Sequence, residues 1–229
     1  MLSFRRPSSR DIDSPALARV GERVRTRLDA DPSVYRLPVD AIELYGVADF
    51  FSADECARLI AMVDAVARPS PTYHDNTAKG SDGGRTSYSG DVNPADPFIR
   101  MIERRIDDLM GIEASHGEVI QGQRYAPGQQ FRGHYDFFET NADYWPAERE
   151  RGGQRTWTAM GYLNAVEAGG ATEFSKVSMA VPPQQGALLV WNNMGPGGKP
   201  NPLTMHAGLP VERGIKYIVT KWYRVGPWG

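Results

Sequence analysis

Three residues in this chain have the types and the spacing of a metal centre. His134 and Asp136 lie two positions apart in FRGHYDFFE (131–139), and His206 lies far downstream in LTMHAGLPV. The run around the first pair reads as a strand over 130–139, and alternation along a strand sends residues i and i+2 to one face. The imidazole and the carboxylate are therefore expected to point together. Two imidazoles and one carboxylate, two close in sequence and one remote, match the facial triad that holds non-haem Fe(II). Three protein ligands on one face of an octahedron leave three positions for a bidentate co-substrate and O2, and neither donor type quenches iron as thiolates do. The pair alone fits equally a histidine at a strand rim with its hydrogen bonds satisfied, so the assignment needs further residues that it explains at the same time. The remaining histidines, His74 in a long loop and His116 in the polar turn GIEASHGE, read as solvated surface.

Lys216 is the first such residue. It follows His206 by ten positions, in a strand whose neighbours Ile215, Tyr217, Ile218 and Val219 are apolar. A lysine there is either an edge-strand charge that blocks association or a buried cation. An unpaired buried ammonium is costly, and a dicarboxylate ligand would resolve that conflict.

These residues need a scaffold to hold them. At 229 residues, 41% hydrophobic and 24% charged, the chain suits one domain with a substantial core and an added helical arm. A helix is expected over roughly 15–29, inside an arginine-rich arm taken as 1–38. A first strand follows in AIELYGVADFF (41–51). Ser52 and Glu55 then form a capping box for a helix with Cys56, Leu59, Ile60, Val63 and Val66 on one stripe. The glycine-rich stretch 70–97 is too long for a tight connection and reads as a binding loop or lid, mobile over 76–84. A second amphipathic helix is expected over 97–110. Beyond it, short strands are expected at 118–125, 130–139, 156–163, 171–174, 177–181, 186–192, 203–208 and 215–224. Helices first and eight short strands after predict a mainly β fold with flanking helices, a β-sandwich or jelly roll. The main domain would occupy 39–229, with helical support over 52–110 and the strand-rich core over 117–225.

Twenty-six basic against 28 acidic residues argue against nucleic-acid or anionic-membrane partners. Cys56 is the single cysteine, which excludes an internal disulfide framework and a multi-cysteine metal site. No apolar run of membrane-spanning length and no secretory signal are read, so the expected location is cytoplasmic.

From Tyr125 to Trp222 the chain resembles the catalytic domain of prolyl 4-hydroxylases, members of the Fe(II)/2-oxoglutarate-dependent dioxygenases. The matching text is RYAPGQQFRGHYDFFE, GGQRTWTAMGYLNAVEAGGATEF, VPPQQGALLVWNN and HAGLPVERGIKYIVTKW, with weaker similarity in FFSADECARLI and GRTSYSG. The resemblance implies a double-stranded β-helix core, with His134, Asp136 and His206 as iron ligands. It implies that Lys216 pairs with the distal carboxylate of 2-oxoglutarate, with Tyr125 and Thr172 as further contacts and Thr158 as a second-rank one. Arg155, Trp222, Arg85, Ser87 and Phe131 match positions that line the peptide groove. The implied activity is hydroxylation of an unactivated C–H bond with release of succinate and CO2. A prolyl residue in a peptide or protein is the expected substrate, ascorbate a candidate reductant, and a homodimer one option for assembly.

Several positions depart from that pattern. Phe131 replaces a tyrosine, Gly133 a proline and Ala171 a glutamate; Arg224 stands where some relatives have a polar residue, and the loop before His206 is unusual. None touches the triad or Lys216, but all lie where substrate choice is decided. A free amino acid or small natural product is therefore the rival substrate, and a catalytically silent metal-binding scaffold the rival of another class. A halogenase is disfavoured because Asp136 is present, and a nucleic-acid demethylase because Lys216 stands where those enzymes use arginine.

Overall fold

The computed structural model describes residues 13–70 and 84–229. Its helices are α1 (Ser14–Ala30), α2 (Ala53–Val66), α3 (Pro97–Met110) and α4 (Trp145–Glu150). Its strands are β1 (Val34–Arg36), β2 (Leu44–Val47), β3 (Arg68–Pro69), β4 (Tyr88–Asp91), β5 (Gln121–Tyr125), β6 (Phe131–His134) and β7 (Arg155–Tyr162), then β8 (Ala168–Gly169), β9 (Thr172–Phe174), β10 (Met179–Val181), β11 (Leu188–Asn192), β12 (His206–Gly208), β13 (Val211–Arg213) and β14 (Lys216–Arg224).

Local sequence explains the helix starts. The Asp13 carboxylate accepts from the Ala16 amide at the head of α1. Ser52 and Glu55 form the expected capping box on α2, each satisfying a free amide of the first turn. Asp96 caps α3, whose first residue is Pro97 and whose end is turned by Gly111 at φ 62°. A left-handed residue there suits glycine, which has no Cβ to clash.

The strands form an eight-stranded sheet in the order β1-β2-β11-β7-β14-β5-β4-β3, a four-stranded sheet in the order β10-β9-β12-β6, and the short pair β13-β8. The recorded pairings are antiparallel. One face of the large sheet packs on α1, α2 and α3 through Val24, Leu59, Val63, Ile102, Trp157, Val219 and Tyr223. The other faces the small sheet across a second core that includes Tyr125, Met160, Tyr162, Phe174, Trp191 and Ile218. Covering both faces explains why all nine residues of β14 are buried. This is the double-stranded β-helix, or jelly roll, that the resemblance implied and one of the two architectures that the strand pattern left open.

The differences from the sequence reading are local. The strand expected over 130–139 stops at His134, and the chain bends at Asp136 and Phe137. The short helix α4 and the strands β1, β3, β4, β8 and β13 were not foreseen, because elements this short carry too little periodicity to register. In the arm, α1 buries Leu17, Val24 and Leu28, and β1 pairs with β2 across the boundary placed at 38. His116, read as surface, is half-buried with Nδ1 3.2 Å from the Arg224 carbonyl. The bridge between Gly117 and Tyr223 and the bond from the Glu118 amide to the Trp222 carbonyl draw that turn onto β14. The segment 71–83, which includes His74 and most of the stretch read as a mobile lid, lies outside the described residues. Among the described residues, no helix is long and apolar enough to cross a membrane.

The capping box gives a direct stability test. Replacing Ser52 with Ala removes one acceptor from the first turn of α2 and is expected to cost about 1 kcal/mol, read as a lower urea midpoint with unchanged slope.

Candidate active site

Strand register brings the two histidines together. β12 runs antiparallel to β6 with His206 directly opposite His134, so both side chains leave the small sheet on one face. Their rings lie 4.3 Å apart, centroid to centroid. Each ring is oriented by its own chain: Nδ1 of His134 lies 2.8 Å from the Arg132 carbonyl, and Nδ1 of His206 lies 3.0 Å from the Thr204 carbonyl. A carbonyl only accepts, so each Nδ1 carries the proton and each Nε2 presents a lone pair.

Asp136 reaches the same point by another route than strand alternation. It lies past the end of β6, and its Oδ2 accepts a hydrogen bond of 2.7 Å from the Thr158 hydroxyl on β7 of the opposite sheet. Its carboxylate then stands 3.8 Å from each histidine Nε2, and the three candidate ligand atoms lie within 4.8 Å of one another. Burial, reinforced by His206, pushes His134 down to about 3, which leaves a neutral imidazole free to ligate. Burial opposes ionisation of Asp136, but His206, His134, Arg155 and the Thr158 hydroxyl outweigh it and hold the carboxyl below its usual range. Two imidazoles and one carboxylate, their tips converging in a buried site, fit Fe(II).

The triad opens into a cavity between the sheets that is also lined by Tyr125, Phe131, Thr172, Lys216 and Trp222. Lys216 stands opposite Tyr125 in the register of β14 and β5. It is 2% exposed, and its ammonium lies 5.4 and 5.6 Å from the ring centres of Tyr125 and Tyr162. Burial alone pushes it down to about 7. The Tyr125 hydroxyl donates to Gln123 and the Thr172 hydroxyl accepts from Tyr162, so both side chains line the cavity they share with the lysine already oriented.

Four expected contacts stand back from the cavity wall. Thr158, expected to touch the co-substrate, is turned to Asp136. Arg155, expected to face the groove, grips Glu118 with two bonds of 2.6 and 2.7 Å and stacks over Trp222. The buried Glu118 carboxylate requires cations, and Arg155 and Arg224 both supply one. Arg85 bonds Ser87 and Gln121 and lies over the ring of Phe131. Ser87 is buried against Ser70. Phe131 itself stacks on His134, with centroids 3.6 Å apart.

The sequence reading missed Gln123, Met160, Trp191, Ile218 and Thr220 in the cavity wall. Alternation from Lys216 along β14 would have found Ile218 and Thr220, since every second residue to Trp222 faces the cavity. The same alternation from Tyr125 along β5 would have found Gln123, whereas Trp191 carried no comparable signal.

The buried lysine makes a pH-dependent prediction. Without a dicarboxylate, the folded chain binds fewer protons at Lys216 than the unfolded chain from about pH 7 up to the ordinary lysine range. Its penalty is complete below that window and fades as pH rises through it. Replacing Lys216 with Met is expected to raise the melting temperature near neutral pH and to remove the stabilisation that a dicarboxylate gives the parent. A Met variant that melts no higher than the parent would refute a destabilising buried charge.

Residues 120–224 match the 2OG-Fe(II) oxygenase superfamily. The chain is 33% identical over 199 residues to Probable prolyl 4-hydroxylase 3 of Arabidopsis thaliana, covering 78% of this chain and 68% of that one. It is 38% identical over 128 residues to prolyl 4-hydroxylase subunit alpha-1 of Rattus norvegicus, covering 56% of this chain but only 24% of that subunit. The viral collagen prolyl hydroxylase of Paramecium bursaria Chlorella virus-1, solved as a 2OG complex, superposes with a TM-score of 0.61 at 27% identity, covering 78% of this chain and 94% of that one. With that fold, that donor set and those relatives, the chain belongs to the prolyl 4-hydroxylase-like 2OG-Fe(II) oxygenases and is a 2-oxoglutarate-dependent dioxygenase using Fe(II), 2-oxoglutarate and O2.

Proposed function

We propose that this dioxygenase hydroxylates a prolyl residue within a peptide or protein. One observation carries the reading: the wall that holds the triad continues from Lys216 along every second residue of β14 to Trp222, so side chains beyond the co-substrate's cation are left to meet a second reactant. Exposure rises from 2% at Lys216 and 5% at His206 and Asp136 to a His134 side chain that is 22% exposed. The co-substrate end is thus the inner one, and the His134 end meets solvent. The plant and viral relatives, which are named as prolyl hydroxylases, support a prolyl substrate at that outer end.

The residues divide the work by position. His134, Asp136 and His206 hold Fe(II), which, when bound together with the 2-oxo acid, activates O2 for attack on the C–H bond. Lys216 neutralises the distal carboxylate of 2-oxoglutarate, flanked by the Tyr125 and Thr172 hydroxyls. Phe131 and Trp222 present apolar faces toward the substrate end, and the Trp222 indole N–H is buried with no hydrogen-bond partner among the described residues. Such a donor gains when a substrate carbonyl reaches it. Arg155 acts behind Trp222, holding the indole through its stack.

The test is mass spectrometry of proline-containing peptides and of free amino acids after incubation with Fe(II), 2-oxoglutarate and O2. A gain of one oxygen on proline in peptides is expected, coupled to succinate release. Oxygen gain confined to free amino acids would transfer the assignment to a small-molecule hydroxylase, and succinate release from none of them would favour a silent scaffold. Asp136→Ala should abolish turnover. Lys216→Ala should raise the KM for 2-oxoglutarate about 30-fold or more, the consequence of truncating one partner of a buried charge pair, while metal affinity changes little.

A further inference from the structure

The Thr158 hydroxyl is fixed from two sides. Asn193 Nδ2 donates to Thr158 Oγ1 at 3.0 Å, and Thr158 Oγ1 lies 2.7 Å from Asp136 Oδ2. A threonine hydroxyl has one proton. Because it accepts from Asn193, that proton goes to Asp136. The opposite orientation of the Asn193 amide would place its carbonyl against Thr158, draw the proton away, and leave lone pairs of Thr158 and Asp136 facing each other. The orientation present leaves Asn193 Oδ1 buried without a partner among the described residues, an arrangement that persists when its surroundings impose it.

Those surroundings are rigid. Thr158 is 0% exposed, and Asn193 is 0% exposed. On the large sheet Thr158 pairs with Trp191 of β11 on one side and Trp222 of β14 on the other, so two indoles flank it. Asn193 is pinned through its own backbone, its amide donating to the Thr156 carbonyl and its carbonyl accepting from Asn201. Thr158 and Asn193 therefore tie the carboxylate of the small sheet to the backbone of the large one.

We infer that Asn193 and Thr158 are positioning residues that fix the turn of the Asp136 carboxylate, and with it the oxygen that Asp136 offers the metal. Oδ1 lies 3.8 Å from His134 Nε2 and Oδ2 lies 3.8 Å from His206 Nε2, so both oxygens face the imidazoles and the turn of the carboxylate decides how they meet a metal. The Thr158 hydroxyl takes one lone pair of Oδ2 and holds that turn. The consequence is a defined ligand set, reached through two residues that stand behind the carboxylate.

The experiment compares the parent with Thr158→Val, Thr158→Ser and Asn193→Ala. Affinity for Mn(II) and Co(II) is read from quenching of intrinsic tryptophan fluorescence, and ligand number from the visible absorption of the Co(II) form. Metal binding by the parent is the control that separates failure of this inference from failure of the metal site itself. Val matches threonine in shape but cannot donate, and should weaken metal binding roughly 10- to 100-fold, as loss of a partner behind a ligand does, with a changed Co(II) spectrum. Ser keeps the hydroxyl and should restore both. Asn193→Ala should shift the Co(II) spectrum in the same direction as Val. Parent-like affinity and spectrum in a folded Thr158→Val, or a Ser variant as impaired as Val, would overturn the inference. Should Val fail to fold, the Asn193→Ala spectrum decides alone: an unchanged one overturns the inference.

Discussion

Register on β14 is the constraint on which the rest of the structure depends. This strand is buried on both faces, and its side chains alternate between two incompatible environments. Lys216, Ile218, Thr220 and Trp222 line the catalytic cavity, whereas Tyr217, Val219 and Tyr223 pack against the helices. A slip of one residue would exchange the two sets completely. The strand carries two buried lysines on opposite faces, and they show what each environment supplies. Lys221 meets Asp107 of α3 at 2.9 Å, and Tyr223 donates to the same carboxylate. Lys216, five residues earlier, meets aromatic rings instead. The helical face satisfies its cation within the fold; the cavity face leaves that task to a ligand.

A second charge system steadies the far end of the strand. Arg224 is 2% exposed and is held by Glu118, Glu148 and the Gly153 carbonyl. Glu118 also carries Arg155, whose guanidinium lies 4.1 Å over Trp222. A buried carboxylate shared between two arginines is expensive to desolvate, and it is tolerated when every member is bonded. The position that departs from relatives, Arg224, is thereby explained as part of the support for a cavity aromatic rather than as a groove contact.

The chemistry of this protein was more legible in its sequence than the routes by which the chemistry is assembled. His134, Asp136, His206 and Lys216 stood out because imidazoles, carboxylate and a lone lysine are conspicuous among apolar strand residues. The helices α1 to α3 were legible through caps and long apolar stripes. Asp136 was assigned to the right neighbours for an incomplete reason: alternation would have placed it, but the strand ends first, and a hydrogen bond from the opposite sheet does the work. That bond joins residues 22 positions apart, which no local pattern encodes. Arg155, Arg85 and Ser87 were read as groove residues from the resemblance alone, and their bonds to Glu118, Gln121 and Ser70 join residues too far apart for a local pattern to encode. Short elements such as β8, β13 and α4 gain their stability from pairing and packing, not from their own residues.

Depth along the cavity also dictates traffic. Lys216 lies at the buried end and His134 at the exposed one, so a dicarboxylate entering from solvent passes the metal ligands before it meets its cation. A reactant seated across the His134 end would stand between that inner compartment and bulk water. Exchange at the lysine is thereby tied to whatever occupies the outer end, and the 2-oxo acid has a clear path inward only while that end is open.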